Sequence, residues 1–248
     1  MPRHTRKRGI LVCATMKRTI HKLLMGRGHP EGQEFHSTIR KRWENIHAIW
    51  NNKYEEDAGL EKLIRLVLSF SQFLFPGTYI KHLFWKKGPL YQDLATEIFV
   101  LLKTAFPFFL LYTSQQNNPW LFALMMWFLL ETVMYIPTLI FASDTFATPR
   151  SYRRGTMLLL LNYLEVVLSF AVIYATGQHL NMPLTHWTEA VYFSFVTSST
   201  IGFGEFYPVT KAGRLLVVLQ SLFYLSYIVL FINFFSLRLK RGYFRGDH

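Results

Sequence analysis

Apolar positions are not spread evenly along this chain. They gather in its second half into four runs, at about 96–113, 119–142, 157–175 and 215–236, that carry almost no charge. A helix needs about 20 such residues to cross a hydrocarbon core roughly 30 Å thick. The pattern therefore predicts an all-α transmembrane fold with four spans. Between the third and fourth runs lies Leu184–Phe206, moderately apolar but too short to cross and return as two helices. Non-helical backbone survives at membrane depth only where protein covers it or where it lines a watery cavity. A re-entrant helix, Leu184–Ser199, with a loop behind it satisfies that constraint.

The first ninety residues are patterned differently. Leu60, Leu63, Ile64, Val67 and Leu68 recur at helical spacing, with Glu61, Lys62 and Arg65 between them. Three placements fit such a helix: on the inner leaflet, against its own copies in an oligomer, or in the cytosol with one face buried. His36–Asp57 mixes Trp43, Ile46, Ile49 and Trp50 with charges and predicts a second amphipathic helix. Residues 1–30 read as disordered. The chain thus divides into a basic N-terminal region (1–92), a two-helix module (93–142), a second module of two spans and the re-entrant segment (156–237), and a basic tail (238–248).

Charge fixes the orientation. The 248 residues are 51% hydrophobic and carry a formal net charge of +12. Lys81, Lys86 and Lys87 precede the first span, Arg150, Arg153 and Arg154 link the second to the third, and Arg238, Lys240, Arg241 and Arg245 follow the fourth. The link between the first two spans, 113–119, has no charge. All basic flanks fall on one side, which places both termini in the cytoplasm of a multi-pass protein, by default in the plasma membrane. The basic N-terminal region then faces anionic lipid. No basic stripe accompanies base-stacking aromatics, so nucleic acid is not the expected partner. The only cysteine, Cys13, excludes an internal disulfide. The short apolar run Ile10–Ala14 is too brief for a secretory signal. No nucleophile elbow, phosphate-binding glycine loop or zinc-ligand spacing supports an enzyme.

The candidate chemistry lies in the run YFSFVTSSTIGFGEFYPVTKAGR, from Tyr192 to Arg214. A pore that passes potassium must replace its hydration shell with oxygens, which rings of backbone carbonyls from four subunits supply. Successive carbonyls reach one axis only if the backbone alternates in hand, and glycine adopts the left-handed angles without steric cost. Gly202 and Gly204, alternating with Ile201 and Phe203, meet that need, and the Thr200 hydroxyl adds an oxygen at the inner end. Ile201 and Phe203 are expected to point away from the axis and wedge the filter against the pore helix. The C-terminal partial negative charge of that helix is directed at the ion pathway.

Residues Thr197–Glu205 resemble the TxTTxG(Y/F)GD pattern of potassium-channel pore loops, and the TIGFG core is similar to the first pore loop of two-pore-domain channels. Tyr207-Pro208, Thr210 and Gly213-Arg214 are similar to the entry into the inner helix of bacterial potassium channels. The resemblance covers Met157 to Leu237 and nothing before it. It implies a homotetramer with one pore loop per chain, potassium ions at Thr200, Ile201, Gly202 and Phe203 and no other cofactor. Gly204 and Glu205 then shape the outer end. Tyr207 takes the position where aromatic rings face external blockers. A weakly selective cation channel and a non-conducting receptor or scaffold with a pore-like fold are the alternatives.

Several positions depart from that pattern. Ser199 stands where a threonine is usual. Glu205 replaces an aspartate, and Tyr192 replaces the tryptophan that braces it. A hydrogen bond from the Tyr192 hydroxyl to the longer Glu205 carboxylate is expected to compensate. The inner run Leu215–Phe235 has no glycine for a hinge, which leaves Ser221 and Ser226 as its small residues. The second span has no repeated arginines of a voltage sensor. Lys103 and Glu131 lie inside spans and are expected to pair with each other, or else to sense protons or a ligand. Asn162 and Glu165 read as polar contacts between helices. His179 and His186 are placed at the outer mouth.

Overall fold

The computed structural model describes residues 38–51, 59–141 and 152–240. The readings made for residues 1–30, Cys13, Arg150, Arg241 and Arg245 lie outside them. The described residues form eight α-helices: α1 (Thr38–Trp50), α2 (Gly59–Ser71), α3 (Pro76–Leu83), α4 (Pro89–Tyr112), α5 (Pro119–Phe141), α6 (Tyr152–Thr176), α7 (Trp187–Ser198) and α8 (Lys211–Lys240). The predicted all-α class is what is observed. Four helices are long and apolar enough to cross a membrane, over Leu90–Tyr112, Pro119–Phe141, Arg153–Thr176 and Lys211–Asn233.

Helix α6 is the hub. It packs against α4, α5, α7 and α8, and its Val166, Val167, Phe170, Ala171 and Val172 are buried. Its inner end is tied to α4 by Arg154, which pairs with Asp93 at 2.9 Å and also with Glu97. Helix α7 is shorter than the predicted 184–199 segment because its N-terminus is a capping box. The His186 side chain accepts from the Thr188 N–H, and the Glu189 carboxylate reaches back to the N–H groups of Thr185 and His186. His186 is thus a helix cap.

The N-terminal helices lie against the first two spans, α2 on α5 and α3 on α4. The face α2 buries is the opposite of the one expected for a cytosolic helix. Arg65 is 6% exposed and Leu68, Ser69 and Ser71 are buried, whereas Leu60 (72% exposed), Leu63, Val67 and Phe70 point outward. Such an inside-out stripe leaves more than isolated apolar residues facing the surroundings, as contact with lipid or with another copy of the chain requires. Helices α2 and α3 meet at a 60° bend, the geometry of a broken span or a re-entrant segment.

Candidate functional site

The predicted filter lies between α7 and α8, and its backbone has the expected alternation. Thr200 has φ +58°, Gly202 +59° and Gly204 +85°, while Ile201 and Phe203 between them are not left-handed. Sequence reasoning assigned left-handed angles to the glycines and missed Thr200, a β-branched residue that rarely adopts them. Its hydrogen bonds give the reason. The Thr200 N–H donates to the Thr197 carbonyl at 3.2 Å and the Ile201 N–H to the Val196 carbonyl at 3.2 Å. These are the two bonds of a Schellman C-cap, with Thr200 in the position that usually holds glycine. The C-terminal end of α7 therefore leads directly into the predicted filter, and the first reversal of hand belongs to both elements.

Within one chain the filter is uncovered. Phe203 is 66% exposed, and Ile201, Gly202 and Gly204 are exposed too. Phe203 turns back to the pore helix and stacks on Tyr192, ring centroids 6.4 Å apart and planes within 5°. Ile201 is not wedged in this way. A cavity of about 370 Å³ separates the filter from α7 and α8, between Tyr192, Thr197, Phe203, Val217 and Ser221. The Tyr192 hydroxyl and the Glu205 carboxylate face each other and interact through charge and a side-chain hydrogen bond, the partnership the sequence leads one to expect. Ser199 hydrogen-bonds its own helix, its hydroxyl donating to the Val196 carbonyl at 3.2 Å.

The segment after the filter is clipped to the loop that follows α6. Asn181 donates from its side chain to the Glu205 carbonyl at 3.0 Å and accepts from the Tyr207 N–H at 2.8 Å; its own N–H donates to the Tyr207 carbonyl at 3.0 Å. The Val209 N–H donates to the His179 carbonyl at 2.9 Å. This clip holds the Tyr207 backbone while leaving its ring exposed. Thr210 caps α8, its hydroxyl accepting from the Gly213 N–H at 3.0 Å, with His179 Nδ1 3.1 Å from the same oxygen. Gly213 is required by close approach, since a Cβ there would stand 3.0 Å from both the Cβ and the carbonyl oxygen of His179. The Thr–Gly spacing noted in the sequence thus fastens the inner helix to the outer loop.

Gln220 is the residue sequence reasoning missed. It sits on α8, is 1% exposed, and gathers the three helices of the pore module. Its amide nitrogen lies 2.7–2.9 Å from the Ser198 hydroxyl and from the hydroxyl and carbonyl of Ser194, and its oxygen accepts from the Tyr174 hydroxyl at 2.8 Å. The amide has only two N–H groups, so the three acceptors share them. A lone glutamine in an apolar run was the available signal, because a buried amide must find partners. Gln220→Leu leaves the Tyr174 and Ser198 hydroxyls without this partner, at about 1–3 kcal/mol for each unsatisfied group. The expected result is a lower thermal midpoint in detergent, and an unchanged midpoint would show that the amide does not hold these helices together.

The intramembrane charges meet in a different order from the one expected. Lys103 lies 3.9 Å from Glu131 but 3.1 Å from Glu165, on the pore module's outer helix α6. Thr132 joins both, accepting from Lys103 and donating to Glu165 at 2.6 Å. Glu131 instead accepts from the Gly77 N–H at 3.0 Å. Glu165, read as an ordinary interhelical contact, is the nearer counter-charge and is fully buried.

Residues 162–241 match the ion channel family model. A hyperpolarization-activated voltage-gated potassium channel of Methanocaldococcus jannaschii is 26% identical over 74 residues, which cover 28% of this chain and 35% of that protein. Through this segment, the chain is similar to ion channels, a potassium channel among them. The match spans about a third of the relative's own length, and the voltage gating in that name belongs to the relative. No solved structure matches the chain. The matched segment contains the predicted filter, the clip and Gln220, whereas Lys103 and Glu131 lie outside it. With its four apolar helices, the chain is a multi-pass membrane protein.

Proposed function

We propose that this chain is one subunit of a potassium-selective channel, four copies of which surround a single pore. The observation that carries the reading is the alternating hand of the backbone at Thr200, Gly202 and Gly204. Reversal at every second residue is what turns consecutive carbonyls toward one side, and one chain provides one quarter of the ring that strips a potassium ion. Thr200, Ile201, Gly202 and Phe203 supply the oxygens in this reading, with Gly204 and Glu205 shaping the outer end. The exposed filter supports the assembly, as does a stripe of exposed apolar residues on α8 at Leu215, Val218, Leu222, Leu225, Val229 and Ile232. Its spacing of three and four residues is that of a helix seam. Ser221 and Ser226 bond to carbonyls of their own helix four residues back, at 2.9 Å each. That arrangement often bends helices and offers α8 a flexing point in place of a glycine.

Liposomes containing only the purified protein test conduction. Potassium flux that follows the imposed gradient is the expected result, and tight vesicles would favour the scaffold alternative. Reversal potentials in mixed potassium and sodium separate a selective pore from a weakly selective one. A reversal near the potassium equilibrium potential is expected.

A further inference from the structure

Arg42 on α1 and Lys81 on α3 converge on a cavity of about 130 Å³ between the N-terminal helices and the inner halves of α4, α5 and α6. Lys103, Glu131, Tyr135 and Asn162 also line it. Neither Arg42 nor Lys81 has an ion pair or hydrogen bond among the described residues. Burial lowers the pKa of Arg42 to about 10 and lowers that of Lys81, which the charge of Arg42 opposes further.

Among the described acids, Asp93 is held by Arg154, and Glu165 by Lys103 and Thr132. Glu131 accepts from the Gly77 N–H with one oxygen, while its other oxygen, 3.9 Å from Lys103, has no hydrogen bond among the described residues and feels the charges of Arg42 and Lys81. Among the described residues, the cations Arg42, Lys81 and Lys103 line the cavity with the carboxylate of Glu131, and Glu165 lies behind it on Lys103. An uncompensated cation out of water is expensive, and this arrangement leaves one in excess.

We propose that this cavity binds a phosphate group, presented by an anionic lipid headgroup or as free phosphate. A guanidinium fork beside an ammonium point charge suits a tetrahedral oxyanion. The volume is well above the roughly 10–15 Å³ that a single water needs, leaving room for a polyatomic anion. The lipid source is favoured by position. Ser71 and Gln72, at the end of α2, line the cavity, and the same helix turns Leu60, Leu63 and Val67 outward where acyl chains would lie. A headgroup at this point would clamp the N-terminal helices to the first two spans.

The test is thermal unfolding of the detergent-purified full chain with a short-chain phosphatidylglycerol or the matching phosphatidylcholine, and with sodium phosphate or sodium chloride at equal ionic strength. Phosphatidylglycerol is expected to raise the midpoint above that in phosphatidylcholine, and the increment is expected to vanish in Arg42→Gln/Lys81→Gln. A rise in phosphate over chloride that is lost in the same variant would support the site with free phosphate as its source. The proposal is overturned if neither anion raises the midpoint over its control, or if the increment survives in the variant. Should the double variant not fold, Lys81→Gln alone carries the comparison.

Discussion

Gly202→Ala is expected to abolish potassium selectivity or conduction while the subunits still assemble. Gly202 has φ +59°, and no atom stands within 4 Å of where its Cβ would be. The penalty within a chain is therefore the backbone conformation itself, about 1–2 kcal/mol in a left-handed angle for each residue, and in the proposed assembly it recurs in every subunit. Thr200 shows what it takes to hold a side chain in that conformation, namely two hydrogen bonds to the end of the pore helix. No such bond holds Gly202 among the described residues, so its alanine variant relaxes by losing the left-handed angle and turning a carbonyl away. Reversal potentials in mixed potassium and sodium, measured on variant protein that elutes at the size of the parent, check this outcome. Unchanged selectivity would mean that the segment is not the filter.

Lys103→Met is expected to be the most destabilising single change in the first two spans. It leaves Glu165, fully buried, without its counter-charge at 3.1 Å, and an uncompensated buried charge typically costs about 3–5 kcal/mol. Glu165→Leu exposes Lys103 to the same penalty. The double variant is expected to recover much of the loss, because removing both partners removes the desolvated charge. The corresponding cycle with Glu131 is expected to show weaker coupling, since that carboxylate is 3.9 Å away and accepts from the Gly77 N–H as well. Thermal midpoints in one detergent give both coupling energies. Additive losses for Lys103 and Glu165 would show that the two do not interact.

The sequence alone made legible the four spans, which recur as helices long and apolar enough to cross a membrane, and the left-handed glycines of TIGFG. Long uncharged runs have no other stable environment than lipid or protein, and the glycines of TIGFG mark the angles other residues avoid. It also determined that Lys103 would need a partner, because the cost of a charge at that depth is independent of its neighbours. Which partner was a tertiary decision. Glu131 and Glu165 are equally acidic in the sequence, and only the packing of α6 against α4 brings Glu165 the nearer. The left-handed Thr200 was not legible either, since it arises from the way the pore helix ends and threonine gives no warning of it. Gln220 looked like one polar residue in an apolar run until α6 and α7 supplied Tyr174, Ser194 and Ser198 around it. The outward stripe of α2 is the clearest case. Periodicity shows that a helix has an apolar face, but whether that face turns inward or outward depends on whether water or lipid lies outside. That is decided only by where the tertiary structure puts the helix, here against the span α5 with its arginine turned in.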